Sequence, residues 1–267
     1  MVKRQGLRLS RKLKNALITT AFILFTGLSF LALLSIVGNV LYHAMQPLIT
    51  HVETFQIESN ELIFALKELV LSLWLVLLAL VISTPLALLT ALLITEYRDC
   101  CFTSLIRLFV DVLAGMPGIL AGLAVYGLAL SLFQMPTSKI VLILVLFLFL
   151  MPKLSKGFAQ VFNEIPFHYR EAAYAIGANK KQVIFHILLP MTVRALSASV
   201  LLGAARTLGA SAPLLLFGVG VHYLAVDIYA LAVRGSDGQA ADYALVLLLL
   251  LGVVFSIAAW FDRDVME

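Results

Sequence analysis

The chain has 267 residues, of which 62% are hydrophobic and 13% charged. A water-soluble domain carries about a quarter charged residues, so the composition excludes a soluble fold and indicates an all-α integral membrane protein. The formal net charge of +4 does not mark a nucleic-acid binder, because the basic residues are spread over the segments between apolar runs. At ~20 residues per span, the length allows five to seven helices and leaves no room for a sizeable soluble domain.

Residues 1–15 form a basic tail with Lys3, Arg4, Arg8, Arg11, Lys12 and Lys14 and no acid. An apolar run from Ala16 to about Tyr42 follows. It is longer than the ~7–15 residues of a signal-peptide core, and no small-x-small cleavage site follows it. The expectation is an uncleaved first transmembrane helix with a cytoplasmic N-terminus. His43 to Glu61 is polar and leans acidic, which suits an outside loop.

The second helix is expected from about Leu62 to Ile94, with Lys67 and Glu68 at the outer interface and Pro85 placed to kink it. Glu96 to Arg107 reads as a short cytoplasmic loop. It holds the adjacent Cys100 and Cys101, which form neither a disulfide framework nor a CxxC motif. The third helix, about Leu108 to Phe133, contains the small-xxx-small pair Gly118 and Gly122. Such a pair lets helix backbones approach closely in a membrane; packing is the favoured reading over a direct substrate role. Asp111 stands four residues after Arg107, the spacing of a helical ion pair.

A tight turn, Gln134 to Thr137, leads to a fourth helix from about Ile140 to Phe158. A polar segment runs from about Ala159 to Leu189, and a fifth helix from about Val193 to Val219. A loop of about twenty residues with Asp227, Arg234 and Asp237 precedes a sixth helix, about Tyr243 to Phe261. Six spans put both termini on one side. Of the 19 lysines and arginines, fifteen then fall in segments this layout makes cytoplasmic. They are the six in the tail, Arg98, Arg107, Lys153, Lys156, Arg170, Lys180, Lys181, Arg194 and Arg263. That asymmetry is the positive-inside pattern.

There is no G-x-x-x-x-G-K-[ST], so the chain has no P-loop for ATP. No metal-ligand spacing, nucleophile elbow or Ser/His/Asp arrangement is present, and the five histidines are scattered. The expectation is a protein that is not itself an enzyme and binds no metal or cofactor.

The polar segment carries more information. Pro166 suits a helix start, where its missing N–H is not needed, and Glu171 would sit near the favourable N-terminal end of the dipole. Gly177 is placed to close that helix at C′, where positive φ is cheapest for glycine. Asn179 fits the N-cap of a second short helix ending before Pro190. The apolar positions Tyr169, Ala172, Ala173 and Ile176 form a stripe. The residues alone leave two readings open: a rigid knuckle that meets another protein, or a helix pair lying on lipid headgroups.

Glu171-Ala172-Ala173, three residues, Gly177, nine residues, then Ile187, Leu189 and Pro190 form the pattern E-A-A-x3-G-x9-I-x-L-P. It resembles the signature loop of the permease subunits of bacterial ABC importers, of the MetI-like type I fold. The resemblance implies that residues 16–267 form one transmembrane permease domain, with its core at 62–261 and a coupling loop at 159–190. That loop would dock on a separate ATP-binding subunit, present in two copies, which uses the ATP. It further implies a second permease subunit, an external substrate-binding protein, and a multi-pass place in the bacterial inner membrane.

The run Ala204 to Leu215 is similar to the A-R-A-x-G-E-T-A-P-L-L of phosphate-importer permeases of PstA type, and Asp111 to Ile119 is similar to their third-helix motif. The family's Glu is Ala210 here, its Thr is Ser211, and Gly118 stands where Ser is usual. These departures bear on cargo, not on machinery. The implied function is uptake of inorganic phosphate by alternating access. Another oxyanion or small solute, such as molybdate or sulfate, is the alternative, and an ATPase-independent channel or carrier is the second.

Arg206 is the candidate substrate residue. A charge inside a membrane helix normally faces a partner or an aqueous path, and its fork suits an oxyanion. A structural pairing is the competing role. Thr207 and Ser211 flank it and could offer hydroxyls, or bond back to their own helix.

Overall fold

The computed structural model describes residues 19–20, 23–32, 34–42, 59–98, 101–134, 138–217 and 221–263. The basic tail 1–15, the polar loop up to residue 58, the Cys100 position and most of the turn before the fourth span lie outside the described residues. The chain divides into two compact units, Met1–Phe55 and Gln56–Glu267. In the first unit the described span is α1 (Ile23–Tyr42), a helix apolar enough to cross a membrane.

The second unit is a helical bundle: α2 (Ser59–Glu96), α3 (Cys101–Gly115), α4 (Gly118–Leu128), α5 (Lys139–Glu164), α6 (His168–Ala175), α7 (Lys180–Val183), α8 (Leu189–Leu208), α9 (Leu224–Val233) and α10 (Asp237–Arg263). Among the described residues, five helices are long and apolar enough to span, or six if the bent pair α3–α4 counts as one. Pro85 lies inside α2, which continues past it to Glu96.

The packed spine of the bundle is α2 against α5. On α2 the small residues Ala79, Ala87 and Ala91 are fully buried, opposite Val145, Leu146, Leu150, Leu154, Phe158 and Phe162 of α5. Small side chains on one helix let the large ones of the other close in, which is how apolar helices associate in lipid. The outward faces carry exposed Val81, Leu89, Leu249 and Trp260. In water such a surface would be costly; in hydrocarbon it is solvated.

The third span is not one helix. It breaks at Met116–Pro117, and α3 and α4 meet at 108°. Proline supplies no N–H and disfavours helical geometry in the residue before it; Pro117 itself sits extended, at φ −55° and ψ 136°. The Gly118/Gly122 face then packs on a non-helical partner. A Cβ at Gly122 would lie 2.1 Å from the Pro213 carbonyl oxygen. Close approach is therefore the role of this pair, and the contact is the loop after α8.

Three further expectations are corrected. The fourth helix continues to Glu164 rather than stopping near Phe158, so Lys153 and Lys156 lie well inside it rather than near its end. The segment after Asn179 does not end before Pro190. α7 passes through a π-turn, Ile184–Leu188, straight into α8, so Lys180 to Leu208 is one apolar helical run. Proline at the first positions of α8 is tolerated because the π-turn relaxes the hydrogen-bond ladder there. Finally, the fifth helix ends at Leu208, and the supposed loop before the sixth contains α9.

Candidate functional site

The α6–α7 knuckle is built by local chemistry. Glu171 lies in the first turn of α6, and Gly177 follows the helix with φ +87°, the left-handed conformation that glycine adopts without a Cβ penalty. Asn179 then caps α7 with a capping box: Gln182 N donates to Asn179 Oδ1 at 2.9 Å, and Asn179 N donates to Gln182 Oε1 at 2.8 Å. Ala173 is buried against Val183, Ile184 and Leu188, with Ile187 and Leu189 packed beside them. This small core holds the two helices at a fixed angle. Pro190, in the first turn of α8, is exposed.

The outer side of the knuckle is free. Glu171, Ala172, Tyr169 and Phe167 are exposed, and Ile176 has 87% of its surface open. The stripe expected from the sequence is therefore split: Ala173 faces inward and holds the turn, while the remainder faces out.

Two side chains that the sequence reasoning passed over fasten the knuckle to α2. Arg170, immediately before Glu171, donates to Glu96 Oε1 from both Nε and Nη2, and to the carbonyls of Ile165 and Phe162. Lys180 Nζ donates to the Glu96 carbonyl and lies 3.9 Å from the Tyr97 ring centre. An acid at the end of the second helix, with a basic segment later in the chain on the same side, was the available signal.

Nearby, Asp111 pairs with Lys156 at 2.8 Å, and Arg107 donates to the Ile94 carbonyl at 3.0 Å. The expected Arg107–Asp111 pair does not form, because Lys156 of the extended α5 takes the carboxylate.

Arg206 occupies the last turn of α8, where a cation is favoured by the helix dipole. It lies 17 residues after Leu189, about 25 Å along the helix at ~1.5 Å per residue. It opens onto a groove of about 490 Å³ between α5 and α8. Thr207 lines the same groove, but its hydroxyl donates to the Gly203 carbonyl at 2.8 Å. Its own carbonyl receives the buried Tyr223 hydroxyl. Ser211 lies beyond the end of α8, in the turn closed by Leu214 N to Ser211 O, and is not part of the groove lining. Arg206 makes no ion pair among the described residues. Nor do the described residues include a group of three or more His, Cys, Asp or Glu side chains that could hold a metal ion.

The site is thus a multi-span bundle carrying a rigid helix–Gly–helix knuckle rooted in two of its spans, with a groove between α5 and α8 lined by Lys153 and Arg206. The chain belongs to the family described as binding-protein-dependent transport system inner membrane component, whose model matches residues 83–267. It is a multi-pass inner-membrane permease with the MetI-like fold of ABC importers.

Among known proteins, the chain is 31% identical to the phosphate transport system permease protein PstA 1 of Mycobacterium tuberculosis H37Rv. That similarity extends over 57% of this chain and 49% of the relative. It is 30% identical to a probable phosphate transport system permease protein PstA of Methanocaldococcus jannaschii, over 57% and 53%. The chain thus spans about half the length of the curated relatives it matches. Of solved structures, an inward-facing MetNI methionine ABC transporter superposes with a TM-score of 0.60 at 19% identity. The match covers 80% of this chain and 98% of the other, and shows the shared fold.

Proposed function

We propose that this chain is one permease subunit of an ATP-binding-cassette importer that takes up inorganic phosphate by alternating access. It works beside a second permease subunit, with two copies of an ATP-binding subunit on the cytoplasmic side and a substrate-binding protein outside. The chain itself carries no ATPase site and no cofactor; ATP is bound and hydrolysed by the partner. Both termini and the knuckle lie in the cytoplasm, a reading supported by the positive-inside charge pattern, and lipid surrounds the remainder.

The observation that carries this reading is the knuckle. Its exposed apolar tip at Ile176 is held rigid by Gly177 and the Asn179 capping box. Its two ends lead into different elements: α6 is clamped to α2 through Arg170 and Glu96, and α7 is continuous with α8. Closure of the ATP-binding subunits would move the knuckle as a body and shift α2 and α8 about the groove. Arg206 would meet the anion, with Thr207 beside it in the groove lining and Ser211 left outside. The phosphate assignment is supported by the similarity to PstA-named relatives.

The test is uptake of radiolabelled phosphate by vesicles containing the chain with its partner subunits. Uptake dependent on ATP, and abolished by Gly177→Asp, is expected. No uptake at saturating phosphate would overturn the cargo. Full uptake by Gly177→Asp, with no co-purifying ATPase, would overturn the machinery.

A further inference from the structure

Lys153 is the fifteenth of the 26 residues of α5, with Lys139 as the first. It therefore lies about 21 Å from one end of the helix and about 17 Å from the other. A lysine at such depth is expensive in hydrocarbon and normally faces a partner or a wet path. Lys153 opens onto the groove that Arg206 also lines. The two cations thus face one groove from its two walls, Lys153 on α5 and Arg206 on α8.

Among the described residues neither cation has a carboxylate within ion-pair distance. Lys153 Nζ instead rests over the Phe149 ring, 3.1 Å from its centre. A ring face attracts a cation through its quadrupole but cancels none of its charge. Two like charges sharing a semi-enclosed cleft are unfavourable unless something negative enters between them. The floor of the cleft is kept open by small residues, Gly157 opposite Ser199. The acid of the same lining, Glu164, is eleven residues from Lys153 along α5, about 17 Å away.

We infer that Lys153 and Arg206 together form a two-cation site for a doubly charged tetrahedral oxyanion, with Lys153 setting the preference for the dianion. This rests on the importer reading above and deepens it. Arg206 supplies a planar fork for two oxygens, and Lys153 supplies a point charge with rotatable donors for a third. The pair of positive charges matches hydrogenphosphate, and a singly charged anion would leave one cation uncompensated. Phe149 holds the ammonium in place when the cleft is empty.

The full importer is reconstituted in vesicles of phosphatidylcholine alone, so that no anionic headgroup competes, and co-elution with the ATP-binding subunit checks that each variant assembles. Phosphate uptake is measured from below to above the second ionisation of phosphate. Lys153→Met should raise KM roughly tenfold or more, the scale of one lost charge-assisted hydrogen bond. Lys153→Arg should recover most of that loss. In the wild type KM for total phosphate should fall as the dianion accumulates, and in Lys153→Met that dependence should flatten.

An unchanged KM and pH profile in Lys153→Met overturns the assignment. So does equal impairment of Lys153→Met and Lys153→Arg, which marks a packing role. If the wild type imports no phosphate, the phosphate reading fails on its own, and the same comparison is run with sulfate and molybdate. A raised KM for the imported dianion upholds Lys153. Import of none of the three, or of an uncharged or cationic solute only, overturns it.

Discussion

Arg170 donates two hydrogen bonds, of 3.1 and 2.9 Å, to a single carboxylate oxygen of Glu96, 74 residues earlier in the chain. Both side chains are less than one-tenth exposed. A buried pair of this kind contributes little net stability over an apolar substitute, but removing one partner strands the other charge. Arg170→Ala is therefore expected to destabilise the fold by about 3–5 kcal/mol, measured by thermal unfolding in detergent. Replacing Arg170 and Glu96 together by methionine should cost clearly less than the sum of the single changes. If the double variant folds but imports poorly, the pair acts in force transmission; wild-type import would show that it serves only the fold.

Gly122 and Pro213 yield a second expectation. A Cβ at position 122 would meet backbone atoms of Pro213, while one at 118 would meet side-chain carbons of Phe149 and Pro213 at 3.0–3.3 Å. Backbone cannot rotate aside and a side chain can. Gly122→Ala should cost about 1–3 kcal/mol and Gly118→Ala less, read as a difference in melting temperature. Equal effects would mean that the α4–Pro213 contact is loose.

At Gly177 the constraint is conformational and not steric, because nothing lies within 4 Å of an added Cβ. With φ at +87°, Gly177→Ala should cost roughly 1–2 kcal/mol, and Gly177→Asn less, since asparagine tolerates the left-handed region. Asn179→Ala should cost about 1 kcal/mol through the lost cap. Their order in ATP-driven uptake should follow their order in local stability, measured by hydrogen exchange across residues 168–188.

Asp227 of α9 titrates at about 6, raised first by burial, then by the neighbouring Glu68 carboxylate, with His222 opposing. α9 is too short to span the membrane. His222 Nδ1 lies 2.8 Å from Glu68 Oε1, so two carboxyl groups and an imidazole meet where α9 approaches α2. The carboxyl is neutral in the fold and charged in the unfolded chain between the ordinary value, 3.8, and about 6. Its contribution is thus fully present below 3.8 and is lost as pH rises through about 6. Melting temperature should drop across pH 4 to 6 in the wild type, and drop less in Asp227→Asn. Parallel profiles for the two proteins would refute this.

Much of the fold was legible because its signals are local. Apolar runs of span length, Gly177 after a short helix and Asn179 before another act within a few residues. The knuckle could be drawn from them with its glycine and cap in place. The ends of the fourth and fifth helices were not legible. Lys153 and Lys156 looked like the end of the fourth helix because charge marks the edge of a span in hydropathy, and Pro190 looked like a stop because proline usually is one. In the fold, a salt bridge to Asp111 and a shared groove accommodate the lysines, and a π-turn accommodates the proline.

By itself the sequence determined that this is a multi-span membrane protein with a helix–Gly–helix knuckle, since hydropathy, caps and glycine conformation depend on near neighbours. Tertiary structure alone decided that the Gly122 face of α4 packs on Pro213, and that Arg170 locks the knuckle to α2. It also decided that Lys153 shares the Arg206 groove. Each of these depends on which helix packs against which, and the free energy of a membrane charge is set by the partner across the groove, not by its place in the chain.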